Sequence, residues 1–310
     1  MFPCIILTDR STISSVPRTV TDKRRFAWTK FYEAIADKLL TFRNNRAALV
    51  AGIYDIIGHV DGLANWEDHY KDGTTGKLRD ICPFTAFGIF NRGNTEANRK
   101  NIASAFAAFL GVREPVPKSF EGIPILNNQR SWFFSYENKR LPNDIESLWS
   151  MFAEALHFAD AQGPDSRNAF IKTYDDVAQR FGVGWNLTMG LYWIRPWVYP
   201  TLESQSQNYI SNKLRIDINR SGPKGRCTGN DYFGILEMLE TRFQEEAFPV
   251  HSFPELSLAA WHYQDDTVPP NQQNEENSAE IVLETEVTSS PIEPYTVDIH
   301  GVISNCRYIY

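Results

Sequence analysis

The sequence is poor in cysteine, with four in 310 residues, at positions 4, 82, 227 and 306. They are far apart and none forms a Cys-x-x-Cys pair, which excludes a disulfide framework and a cysteine zinc site, so they read as reduced thiols. Long apolar runs are missing too. No stretch approaches the ~18–20 residues of a membrane helix, and Ile5-Ile6-Leu7 is too short for a signal-peptide core. The chain reads as soluble and cytoplasmic, without a membrane partner. A phosphate-cradling GxxxxGK[ST] loop is also absent. The nearest stretch, Gly222-Pro223-Lys224-Gly225-Arg226-Cys227-Thr228-Gly229, lacks the Gly-Lys-Ser/Thr ending, and this excludes a P-loop motor in this chain. Neither GxSxG nor a Cys/His pair points to a covalent nucleophile. Aromatic residues, by contrast, are abundant: 8 Trp, 13 Tyr and 20 Phe. That much apolar material builds a sizeable core and rules out global disorder.

The net charge of −7 is unevenly placed. Of 31 basic and 38 acidic side chains, one base (Arg307) and eight acids fall in residues 266–310, which leaves 30 of each sign in residues 1–265. The acidity belongs to the tail, so it does not argue against nucleic-acid binding by the body.

Three regions follow: a flexible leader over 1–25, a body over 26–265, and a disordered acidic linker over 266–310, rich in Pro, Asn, Gln and Glu. Any subdomain boundary in the body falls near 112–142. Apolar residues at helical spacing predict helices over Trp28–Phe42 (Phe31, Ile35, Leu39, Phe42), over Ala47–Ile57, after Thr95 (Ile102, Phe106, Phe109, Leu110), and over Tyr232–Phe243. Asn143-Asp144-Ile145-Glu146 has the form of a capping box. It opens a helix with Ile145, Leu148, Trp149, Phe152, Leu156 and Ala159 on one stripe, and another helix, with Phe170, Tyr174, Val177 and Phe181, follows Gly163-Pro164-Asp165 and ends at Gly182. Residues 185–195 fit helix or buried strand, and Arg195-Pro196 as a stop favours helix. Residues 58–80 read as a long Gly-rich loop, and the Pro-rich 112–127 as a place for short strands. The fold class is mainly α-helical α+β, a multi-helix globular body with a few short strands.

Metal chemistry finds little support. Glu67-Asp68-His69 is a local cluster near His59, but a zinc or iron site needs several converging ligands. His157 sits beside the apolar stripe of its helix as a boundary residue, and His251 and His262 flank a Pro-rich turn and an aromatic patch. Glu137-Asn138-Lys139 has the ExK spacing of a metal-dependent nuclease without the companion carboxylates.

Nucleic-acid contact has more. Lys213, Arg215, Arg220, Lys224 and Arg226 fall within fourteen residues, opposed only by Asp217. Such a stretch either neutralises phosphates or is an ordinary solvated loop. Gly182-Val183-Gly184 either aims backbone N–H groups at a phosphate or ends one helix and turns into the next. Trp185, Tyr192, Trp193, Trp197 and Tyr199 crowd together. Trp185 and Trp193 suit a core. Trp197 and Tyr199, beside prolines, are expected to be exposed, where they and Tyr192 would stack on a flipped base with Asn186 and Arg195 reading its edge.

Four phrases carry a resemblance: PFTAFGIFNRG (83–93), FEGIPILNNQRSWFFSYE (120–137), WNLTMGLYWIRP (185–196) and SFPELSLAAW (252–261). Over about 26–261 the chain resembles the N-terminal region of McrB-like AAA+ proteins, the motor subunits of methylcytosine-dependent restriction. In that group a linker ending near PYTVD leads into a P-loop motor. Here Pro294-Tyr295-Thr296-Val297-Asp298 matches and the following residues depart, as expected of a truncation or frameshift that removes the motor. The resemblance implies a DNA-recognition module of a restriction or phage-defence system, non-catalytic by itself and without a cofactor. Nucleotide and Mg would belong to the missing motor, and a nuclease subunit would join through it. The alternatives are a nuclease using Glu137 and Lys139, and a protein-interaction adaptor.

Overall fold

In the computed structural model, residues 23–263 are described, apart from 64, 129 and 130. Most of the expected leader and all of the expected acidic linker lie outside the described residues. The described residues hold ten α-helices and one two-stranded sheet, which is the mainly helical architecture the periodicity predicts. None of these helices is long and apolar enough to cross a membrane.

The first half contains α1 (Trp28–Leu40), α2 (Arg46–His59), β1 (Asp68–His69), β2 (Thr75–Gly76), α3 (Pro83–Phe87) and α4 (Glu96–Leu110). On α1 the predicted stripe is buried at Phe31, Ile35 and Leu39, while Phe42 lies past the helix end and is half-buried. Thr95 starts α4 by accepting the Asn98 N–H at 3.2 Å. Gly111 ends it at φ 70°, where a side chain would be strained. The two strands pair antiparallel, Asp68 opposite Gly76, inside the stretch predicted as loop. The expected strands over 112–127 do not form; a single bridge joins Arg92 to Leu126. Pro115, Pro117 and Pro124 have no N–H to give a ladder.

The second half contains α5 (Asp144–Ala161), α6 (Pro164–Ala178), α7 (Asn186–Ile194), α8 (Ser204–Asn208), α9 (Gly229–Arg242) and α10 (Phe253–His262). The capping box predicted at Asn143 is not made. Asn143 has φ −102° and ψ 4°, outside the extended conformation from which a cap side chain reaches back. Asp144, the first helical residue, instead ties the helix start to its surroundings: its carboxylate accepts the Leu141 N–H at 2.9 Å and the Arg180 guanidinium at 2.9 Å. A true box opens α9, where Thr228 and Asp231 bond each other's backbone N–H. Phe181, expected on the stripe of the helix after Gly163, lies beyond that helix, which ends at Ala178, and is exposed.

Segment 185–195 is helical, and every residue of α7 after Asn186 is buried. Gly190 makes this possible, because a Cβ there would lie 2.5 Å from the Phe84 ring on α3. Trp193 anchors α7 by donating to the Pro124 carbonyl at 3.0 Å. A second aromatic nucleus joins α6 to α9. Phe170 stacks on Tyr199 (5.5 Å between centroids, 21°), and Tyr174 stacks on Tyr232 (5.4 Å, 16°). Burying each such ring contributes about 1.5–3 kcal/mol from area alone.

Candidate nucleic-acid interface

Between α8 and α9 the chain makes one π-helical turn, Tyr209–Lys213, and then runs irregularly to a short 3-10 turn, Pro223–Gly225. Leu214, Ile216 and Ile218 point inward while Arg215, Asp217 and Asn219 are exposed. This alternation holds Lys213 and Arg215 on the surface of a ribbon whose other side is anchored in the core, and Arg220, where the alternation ends, is exposed as well. The ribbon then closes a tight loop, with the Gly222 N–H donating to the Arg226 carbonyl at 2.8 Å. A Cβ on Gly222 would sit 2.8 Å from that carbonyl and from Cys227, so glycine is required. Lys224 is exposed at the loop's tip.

Asp231 holds the loop from below. Its carboxylate accepts the Ser221 N–H at 3.0 Å, the Thr228 N–H at 2.9 Å and the Ser221 hydroxyl at 2.5 Å. Burial works to raise the Asp231 pKa, but the hydrogen bonds from Ser221 and Thr228 together outweigh it and hold the carboxyl below its ordinary value. Cys227 is buried beside the loop, with Sγ 3.1 Å from the Asn219 carbonyl, and burial pushes its thiol up to about 12.

Two stretches singled out in the sequence meet here. Arg226 folds back and donates to the Val183 carbonyl at 2.5 Å, and a Cβ on Gly184 would lie 3.1 Å from its guanidinium carbon. Arg220 lies 5.6 Å from the centre of the Trp185 ring and donates to Gln207 Oε1 at 2.7 Å. The Gly182–Gly184 turn therefore packs against the basic loop, but it does not aim its amides outward. The Gly184 N–H is taken by Asn186 Oδ1 at 2.6 Å, and Asn186 Nδ2 donates to the Gly182 carbonyl at 2.9 Å. Gly182, at φ 81°, presses on the backbone of Phe133 and Phe134. The reading as a helix end plus a turn is the one the geometry fits, and Asn186 spends both ends of its amide closing that turn.

The base-reading set is not assembled. Tyr199, expected to be exposed, is fully buried in the aromatic nucleus and donates to the Ala155 carbonyl at 2.6 Å. Tyr192 is also fully buried, because it follows Leu191 on a helix buried on all sides. Arg195 bridges helices, pairing with Asp37 at 2.7 Å and Asp160 at 3.5 Å. Trp197 is half-buried against α1, where its Nε1 donates to Thr29 Oγ1 at 3.0 Å and Lys23 lies 5.1 Å from its ring centre. Trp193 is core as predicted, while Trp185 is only half-buried. Trp185 is thus the ring that accompanies the basic ribbon, and its neighbour Arg220 is distant in sequence.

The other candidates lie elsewhere. Glu137 pairs with Arg79 at 3.2 Å, and Lys139 is exposed on the turn that follows. Asp68 is fully buried and accepts the backbone N–H groups of His69 and Glu137 as well as Arg140, so it joins the hairpin to residues 137–140. His69 stacks on Tyr136 at 4.2 Å. His59 pairs with Asp55, His157 faces Glu154, and His262 pairs with Glu121. Among the described residues no three His, Cys, Asp or Glu side chains are grouped as metal ligands would be.

These features define a multi-helix body with a cationic ribbon held between two of its helices. Over residues 28–263 the chain matches a family described as a domain of unknown function (DUF8425), and it belongs to that family. No curated protein and no solved structure matches it.

Proposed function

We propose that this chain is a DNA-recognition module of a McrB-like restriction or defence system. It is non-catalytic by itself and works in the cytoplasm beside a nucleotide-driven motor and a nuclease. The observation that carries the reading is the ribbon: Lys213, Arg215, Arg220 and Lys224 are exposed along one irregular segment whose apolar side is fixed in the core. Its backbone lends further support. Three non-glycine residues among those described have left-handed φ, and two of them, Arg215 (57°) and Lys224 (55°), are cations of this ribbon. Left-handed non-glycine backbone is uncommon and costs energy, and it gathers where function requires a particular display. The half-buried Trp185 beside Arg220 adds a flat face on which a base could stack.

The test is the salt dependence of DNA affinity. Replacing Lys213, Arg215 and Lys224 by Ala weakens binding to all duplexes alike and flattens the plot of log K against log salt by about 0.9 for each phosphate no longer neutralised. Trp185→Ala costs about 1–3 kcal/mol of binding and leaves that slope unchanged, because stacking releases no counterions. Lack of affinity for single- or double-stranded DNA at low salt, methylated or not, rejects the reading.

A further inference from the structure

Two arginines in the first half of the body are buried, and no ion pair among the described residues includes either. Arg99 is 5% exposed and well supplied with neutral acceptors. Its Nε donates to the Phe90 carbonyl at 2.8 Å and its Nη2 to Asn91 Oδ1 at 2.6 Å, with the Phe120 ring 4.2 Å away. It fastens α4 to the 88–91 turn, and its placement needs no further explanation.

Arg92 is different. It is 6% exposed and donates through Nη2 to the Ser131 hydroxyl. Its guanidinium lies 5.0 Å from the centre of the Trp66 ring. Its Nε has no hydrogen-bond partner. Trp66, 5% exposed, likewise has an unpaired Nε1, and the buried Nδ2 of Asn94, two residues along from Arg92, is unpaired as well. All three groups are donors. Asn65 and Gly93, the chain neighbours of Trp66 and Arg92, are exposed, and Asn94 is half-buried.

Buried polar groups are paired as a rule, and a buried charge without a counter-charge is more costly than an unpaired neutral group. Burial pushes the Arg92 pKa down to about 10, with nothing acidic opposing it. Water would supply acceptor atoms and leave the charge uncompensated. An oxyanion supplies both.

We propose that Arg92 and Trp66, with Asn94 at the rim, form a binding subsite for a phosphate group. A ladder of rings leads from this subsite to the surface. Trp66 meets Trp132 edge-on at 6.2 Å, Trp132 meets Tyr136 at 5.4 Å, and Tyr136 is 42% exposed with His69 stacked on it. A phosphate attached to a planar base suits such an edge, whether it belongs to a mononucleotide or to a strand. The subsite shares no residue with the ribbon, so the proposal stands apart from the reading above.

The experiment follows the melting midpoint of the full chain with added sodium phosphate, a nucleoside monophosphate or a short single-stranded oligonucleotide, each against sodium chloride at equal ionic strength. At least one phosphate compound raises the midpoint of the wild type in a saturable way. Trp66→Phe keeps an aromatic ring and removes one donor, and it raises the apparent Kd about ten- to a hundredfold, the factor for losing one hydrogen bond to a charged group. Arg92→Gln abolishes the response, and Arg92→Lys keeps part of it. A response to inorganic phosphate or the mononucleotide identifies a free-ligand site. A response to the oligonucleotide alone, lost in Trp66→Phe, identifies a strand phosphate. The absence of any saturable response in the wild type overturns the proposal, as does a response that is unchanged in both Trp66→Phe and Arg92→Lys.

Discussion

Tyr199 offers the sharpest division between a residue that reads DNA and one that holds the body together. It is fully buried, stacks on Phe170, lies 6.4 Å from Tyr232, and donates its hydroxyl to the Ala155 carbonyl at 2.6 Å. Tyr199→Phe keeps the ring and removes that one hydrogen bond, at a cost of about 0.5–1.5 kcal/mol. Tyr199→Ala empties a site enclosed by the rings of Phe158, Phe170 and Tyr232 and costs about 3–5 kcal/mol, the range for truncating a buried aromatic side chain. Urea unfolding followed by tryptophan fluorescence measures both through the shift in midpoint at constant slope. DNA affinity, measured well below the unfolding transition, is unchanged in Tyr199→Phe. A loss of under about 1 kcal/mol in Tyr199→Ala would contradict the packing reasoning. So would a Tyr199→Phe protein of wild-type stability and weakened DNA binding, because the hydroxyl would then have to act at a surface.

Trp149 is fully buried and donates from Nε1 to the Ile81 carbonyl at 3.0 Å; Trp149→Ala costs about 3–5 kcal/mol in the same urea assay, and a loss of under about 1 kcal/mol would undo the assigned phase of α5. The Asp231 carboxyl is held below its ordinary value, so it contributes stability above the unfolded-state pKa, and that contribution is lost as the pH falls through the lower folded-state value. Stability measured from pH 5 downward therefore falls less steeply in Asp231→Asn than in the wild type, and parallel curves would refute the assignment. Cys82 and Cys227 are buried, with thiols pushed up to about 12 by burial. In a chain with Cys4 and Cys306 replaced by Ser, a thiol reagent at pH 8 labels neither until urea unfolds the protein, and fast labelling of the native state would show that one of them is accessible.

Much of the fold was legible in the sequence. The stripes of α1, α4, α5 and α9 are periodic because one face of each helix meets the core and the other meets water, and that contrast is written into residue order. Thr95 and Gly111 mark the ends of α4 because capping and left-handed turns are local chemistry. Three other helices, α3, α8 and α10, were missed for lack of such a contrast or of length. α8 (SQSQN) is five residues long with no apolar residue to set a period. α3 has five residues, all buried, so it shows no polar face. α10 carries its signal in Ser252, which accepts the Glu255 N–H at 3.4 Å, an arrangement of the kind assigned in error to Asn143. Tertiary structure decided the rest. Tyr199 and Trp185 are both aromatic, and nothing local separates them. Tyr199 is buried because Phe170 and Tyr232 arrive from α6 and α9. Trp185 stays half-buried because its neighbour across the fold is the guanidinium of Arg220. Arg92 sits in NRG, a tripeptide whose residue types carry no signal of burial. Its burial beside Trp66 depends on a contact between residues twenty-six positions apart, and residue order does not encode whether an acid will meet a given base. Charge composition and helix periodicity are properties of the chain, but the pairing of a buried charge is a property of the packed body.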